Sequence, residues 1–167
     1  MQKYDKILKS TVVGGKVLRN DVSNEAIKKI EKRLRYIAGT IKQNGRKILN
    51  NYPITSPQFI ALQWLLEEGD LTIGELSNKI SLAFSTTTDL VDRMEKNELV
   101  ERIRDQKDRR VVRIHLLKKG KVIIHEVIEK RQAYLGEVLQ EFSGEQTKTL
   151  NELLDFLHER MKSVNEK

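Results

Sequence analysis

The 167-residue chain contains no cysteine. That excludes disulfides, thiolate metal sites and thiol-based redox sensing, and it fits a reducing compartment, so a cytoplasmic location is expected. No apolar run approaches the roughly 20 residues needed to cross a bilayer, and the lysine-rich start lacks the unbroken apolar stretch of a secretory signal. A membrane partner is therefore not expected. The histidines, His115, His125 and His158, are far apart, with no His-Glu-x-x-His spacing and no thiol to complete a structural zinc site. No carboxylate sits in a nucleophile or phosphate-cradle motif, and Gly14-Gly15 is too little for a phosphate loop. These absences leave catalysis without positive support, and no catalytic residue, metal or cofactor is expected. Internal repeats and low-complexity tracts are missing as well.

What the chain has is positive charge, unevenly placed. Its 31 Lys and Arg against 24 Asp and Glu give a formal net charge of +7, which favours an anionic partner. Residues 1–20 carry five bases and one acid, and residues 25–50 eight bases and two acids, whereas residues 121–167 hold seven bases and nine acids. The last quarter is thus a poor polyanion binder and has another task. With 38% hydrophobic residues, the length suits one compact domain, or one binding module with an oligomerising arm.

Residues 1–24 show no sustained period and read as a basic extension, helical at best in pieces. From Glu25 onward Ile27, Ile30, Leu34, Ile37, Ile41 and Ile48 mark one face of a long helix, which Tyr52-Pro53 ends. Ser56 reads as the cap and Pro57 as the first turn of a second helix, lined by Phe59, Leu62 and Leu66 and stopped at Gly69. Thr72 and Glu75 match a capping box that opens a short helix through Ile80. The run from Phe84 to Asn97 places Thr87, Leu90, Val91 and Met94 on one side. Ser85, Thr86, Thr88, Asp89, Asp92 and Arg93 fall largely on the other. Residues 99–104 and 111–116 are β-rich and flank a charged hexapeptide, which predicts an antiparallel hairpin. Helical spacing returns from Lys118 to about Phe142, and after a cap at Ser143 or Gly144 a last helix carries Leu150, Leu153, Leu154, Leu157 and Met161. The fold class expected is mainly α with a small β-hairpin wing.

Two short helices joined by a tight turn, the second with a face of small hydroxyl residues, suit major-groove reading. Short side chains let such a helix approach base edges while its other side packs on the domain. The charged hairpin that follows strengthens the reading, because Arg109 and Arg110 at its tip can enter the narrow, electronegative minor groove next door. Residues 71–76 (LTIGEL), 85–96 (STTTDLVDRMEK), 99–102 (LVER), 105–110 (DQKDRR) and 116–120 (LLKKG) resemble the successive signatures of MarR-type regulators. The resemblance runs from about Glu25 to Met161 and is most specific in the Asp-x-x-Asp-Arg-Arg string. It implies a homodimer whose first and last two helices intertwine. The single unit of residues 25–167 would then hold a winged helix-turn-helix over about 55–117 and dimerisation helices over about 25–50 and 118–163. The resemblance further implies that Asp108 braces the wing and that Arg110 enters the minor groove.

Three positions depart from the family pattern. Glu98 stands where glycine is usual, so either Asn97 or Glu98 must take the left-handed turn. Leu117 replaces a threonine that would cap the fifth helix. Asp89 occupies a position often basic in relatives, where a carboxylate repels phosphate but accepts from a cytosine amine.

On this reading Ser85, Thr86, Thr88, Asp89, Arg93, Arg109 and Arg110 contact double-stranded DNA at a pseudo-palindromic operator. The plainer alternative for the hydroxyl residues is a solvated helix face, and Arg93 either reaches a phosphate or pairs with Asp89 one turn earlier. The resemblance implies a repressor modulated by a small-molecule effector. A pocket is expected near Tyr36, Phe59, Trp64 and the fifth helix, residues that core packing explains at least as well. Two rival functions are a winged-helix protein interaction module without specific DNA binding, and a small metabolic enzyme built on a helical dimer.

Overall fold

The computed structural model describes residues 12–13, 16–17 and 23–165. Two short strands, β1 (Val12–Val13) and β2 (Lys16–Val17), pair antiparallel, Val12 with Val17 and Val13 with Lys16. This corrects the expectation of helical pieces at those four positions: β-branched valines favour extended backbone. Six helices lie among the described residues: α1 (Asn24–Leu49), α2 (Ser56–Glu68), α3 (Ile73–Ile80), α4 (Phe84–Lys96), α5 (Lys118–Val138) and α6 (Gly144–Asn165). Between α4 and α5 runs an antiparallel hairpin of β3 (Val100–Arg104) and β4 (Val112–Leu116), with Val100 opposite Leu116 and Arg104 opposite Val112. The chain is therefore mainly α with a β-hairpin wing. No helix among the described residues is long and apolar enough to cross a membrane.

Two compact units can be distinguished, residues 40–135 and the remainder. The first holds the core: Leu62, Leu76, Val91, Met94, Leu99, Val100, Ile114 and Ile124 are each at most 1% exposed. Local chemistry sets its helix ends. The cap of α2 is Thr55 rather than Ser56, a correction whose cause is Gln58. Thr55 Oγ1 accepts from the Gln58 amide at 3.4 Å, and Gln58 Oε1 accepts from the Thr55 amide at 2.8 Å, a reciprocal pair that Ser56 has no partner to form. Gly69 closes α2 at φ +81°. The expected box opens α3, with Glu75 Oε2 accepting from the Thr72 amide at 2.7 Å. Ser81, at φ +54°, ends that helix in the left-handed region.

After α4 the left-handed turn falls on Glu98 (φ +59°), while Asn97 stays at φ −90°. Leu71, between α2 and α3, accepts from the Ile114 amide at 2.7 Å and so anchors the wing on the helical core. Gly120, in the first turn of α5, lies so near β3 that an added Cβ would stand 2.4 Å from the Leu99 carbonyl.

In the other unit the apolar residues of α1 and α6, among them Ile27, Ile30, Ile37, Leu153, Leu154 and Met161, are about half exposed. Ser143 caps α6, accepting from the Gln146 amide at 3.2 Å.

Candidate nucleic-acid interface

The second helix of the α3–α4 pair turns its buried side inward through Thr87, Val91 and Met94, all inaccessible to solvent. Thr87 belongs there because its hydroxyl donates to the Ala83 carbonyl at 3.0 Å, which satisfies the one polar group that burial would otherwise penalise. Ser85, Thr86, Asp89, Asp92 and Arg93 are exposed on the other side, and Thr88 is half-buried. The Thr88 hydroxyl donates to the Phe84 carbonyl at 3.0 Å, so its oxygen is left free only to accept. Arg93 forms no ion pair with Asp89 or with any other carboxylate among the described residues. Asp92 and Glu95 both grip Arg102 of β3, and Glu95 Oε1 also accepts from the Arg102 amide at 3.0 Å. The single guanidinium offsets half the charge of two carboxylates that would repel phosphate, and it rivets the helix to the wing.

The tip of the wing is held by two aspartates. Asp105 Oδ1 accepts from the amides of Lys107 (2.8 Å) and Asp108 (3.1 Å), while its Oδ2 accepts from Arg113 Nε at 2.5 Å. The Arg113 hydrogen bond first, and the two amides after it, hold the Asp105 carboxyl down at about 2. Asp108 Oδ1 in turn accepts from the Arg110 amide at 3.0 Å, and its carbonyl accepts from the Val111 amide at 2.9 Å. Arg109 and Arg110 stand exposed on this braced turn and make no ion pair among the described residues.

Further along β4, Arg113 Nη1 also donates to the Asp70 carbonyl (3.3 Å) and to Glu75 (3.4 Å), and His115 Nδ1 meets Asp70 Oδ1 at 2.9 Å. One strand of the wing is thus tied to the loop between α2 and α3.

A cavity of about 420 Å³ opens within residues 40–135, lined in part by Asn44, Gln63, Glu67, Ile128, Arg131 and Tyr134. Phe59, Trp64 and Tyr36, the residues expected at an effector pocket, are not in that lining. Phe59 is buried in the core with the Arg131 guanidinium over its ring, Trp64 lies under the Lys79 ammonium, and Tyr36 belongs to the other unit, next to Lys32 and Arg35 on its own helix.

The sequence profile of the MarR family matches residues 54–112, which span α2, α3, α4, β3 and the first residue of β4. The uncharacterized HTH-type transcriptional regulator YsmB of Bacillus subtilis (strain 168) is 59% identical over 83% of this chain and 94% of its own length. This chain belongs to the MarR family. Among solved structures, a MarR family protein from Bacillus stearothermophilus is similar at a TM-score of 0.81 and 61% identity, over 84% of this chain and 98% of that one. Streptococcus pneumoniae FabT, solved in complex with DNA, shares the fold at a TM-score of 0.71 and 21% identity, over 83% and 99% of the two chains. As a MarR-family member the chain is a DNA-binding transcriptional regulator, a reading favoured over the protein interaction module.

Within this MarR-family wing, sequence reasoning singled out Asp108 and passed over Asp105 and Arg113. The signal for Asp105 was present, since it opens the same Asp-x-x-Asp string and an aspartate two residues before a free amide commonly forms an Asx turn. Arg113 carried no such signal. Its partner lies eight residues away, across a hairpin whose register only the fold reveals.

Proposed function

We propose that this MarR-family regulator acts in the cytoplasm as a homodimer on a pseudo-palindromic operator in double-stranded DNA. Ser85, Thr86, Thr88, Asp89 and Arg93 face the major groove, and Arg109 and Arg110 enter the adjacent minor groove from a wing held by Asp108. The observation that carries the reading is the pairing of two free groups of side chains. Beyond Phe84 the outer face of α4 is polar and mostly short-chained, and the braced turn after it exposes two unpaired arginines. Residues of about 55–117 act as the winged DNA-binding part, and about 25–50 with 118–163 as the dimerisation part. Repression follows from competition for a promoter, and no step of it calls for catalysis. A small-molecule effector held in the cavity beside Arg131 weakens DNA binding.

Titration of Arg110→Ala against specific and scrambled duplexes at several salt concentrations tests the central claim. The variant should fold and dimerise normally and lose about 1 to 3 kcal/mol of operator affinity, with the salt slope reduced by about one if the contact is to phosphate. Parent-like binding of both duplexes by this variant would reduce the wing to a solvated turn. A Thr86→Ala change is expected instead to alter preference among operator variants more than overall affinity.

A further inference from the structure

We infer that Phe84 reads the 5-methyl group of a thymine in the major groove, a specificity contact that rests on the DNA-binding reading above. Phe84 is the first residue of α4 and is 63% exposed, more than any other large hydrophobic side chain described in residues 40–135. A ring left in water forgoes the burial that stabilises Phe59 on α2, so folding of the unit does not account for its placement.

Its position does. The first turn of a helix that enters a groove is the part closest to the base edges. On this helix the outward neighbours are polar: Ser85 and Thr86 carry hydroxyls that donate and accept, Asp89 accepts, and Arg93 donates. Phe84 offers a flat apolar surface with no hydrogen-bonding atom. Major-groove edges present donors and acceptors at every base pair, and the one apolar feature among them is the thymine methyl. Thr88, one turn further on, does not compete for a hydrogen bond at this spot as a donor, because its hydroxyl proton is already committed to the Phe84 carbonyl.

The test uses the full-length protein and a duplex that the parent selects from a random-sequence library. Each thymine of that duplex is replaced in turn by uracil, which lacks only the methyl. Fluorescence anisotropy then gives the affinity of the parent, Phe84→Ala and Phe84→Leu for every duplex, and circular dichroism melts check that the variants remain folded.

At one position in each half-site, uracil should weaken the parent about fourfold, the worth of one buried methyl, and leave Phe84→Ala unaffected. Phe84→Leu should keep part of the sensitivity. Uracil scans that are the same for parent and Phe84→Ala would overturn the inference while leaving DNA binding intact. So would loss of self-association in Phe84→Ala, which would place the ring in a protein contact. If the parent selected no sequence and bound DNA without salt dependence, the DNA-binding reading would fall, and this inference with it.

Discussion

Residues 40–135 and the rest of the chain use the same three-and-four spacing of apolar residues, with opposite results. In the winged unit Leu62, Leu76, Val91 and Met94 vanish into a core that α2, α3, α4 and the hairpin close together with Ile124 and Val127 of α5. In the other unit Ile30, Ile37, Leu154 and Met161 obey the same rule and remain about half exposed. Spacing tells which face of a helix is apolar and is silent on what covers it. A stripe of this length along α1 and α6 exceeds the scattered apolar exposure of an ordinary surface, and a second copy of the chain is the cover proposed for it.

The contrast can be broken most sharply from the exposed side. Ile30→Glu combined with Leu154→Glu should give a species near 19.4 kDa by light scattering. Operator affinity should fall by about 10²- to 10⁴-fold, because the second half-site no longer binds as part of one molecule. An unchanged dimer would show that these faces do not meet a partner. From the buried side, Leu76→Ala should cost about 2 to 5 kcal/mol in urea unfolding without altering subunit mass, as expected where a fully enclosed side chain leaves a cavity. A loss no larger than that of a surface substitution would mean the winged unit is not the self-sufficient half.

The smallest effect is expected at the wing tip. Arg113 and two amides depress the Asp105 carboxyl to about 2, below the ordinary value of about 3.9. A carboxyl depressed by folding contributes stability above its unfolded value, and that contribution is lost as pH falls from about 4 toward 2. Glu75, lowered chiefly by the Thr72 amide, shifts in the same direction. Hydrogen exchange at the Lys107 and Asp108 amides, compared with core amides, should therefore lose protection across that window. Asp105→Ala should remove it at every pH while leaving the global unfolding midpoint unchanged. Constant tip protection in the parent down to pH 2 would count against the bracing role.

Much of the scaffold was readable because its causes are local. Thr72 and Glu75 lie three residues apart, and the alternation of Thr87, Val91 and Met94 with polar neighbours names the buried side of α4 before any fold is seen. Glu98 was one of two positions able to absorb the missing glycine, and the backbone chose it. What escaped depends on distant partners or on competition between neighbours. Thr55 caps α2 because Gln58 answers it, and Ser56-Pro57 masked that pair. The Asp105–Arg113 contact needs the hairpin register, and the exposure of Phe84 needs the whole unit around it. Phe59 and Trp64 lie outside the cavity lining because the core takes the first and Lys79 covers the second, which only the fold reveals, whereas α5, the helix expected beside them, supplies Ile128, Arg131 and Tyr134.

Gly120 sets a mechanical limit on this molecule. An added Cβ would stand only 2.4 Å from the Leu99 carbonyl and 2.7 Å from Leu116 Cδ1, so α5 leaves the root of the hairpin with its backbone close against that of Leu99. The Leu117 amide also donates to that same Leu99 carbonyl at 3.0 Å, which makes the joint a weld. The first turn of α5 is therefore coupled directly to the base of β3. At its far end the Asp105 carboxylate accepts three hydrogen bonds and Asp108 Oδ1 one, so what is left to adjust there is the exposed pair of side chains, Arg109 and Arg110. A lever with a stiff root and a braced tip passes on position faithfully, and only the two long side chains it carries adapt to the shape of what they touch.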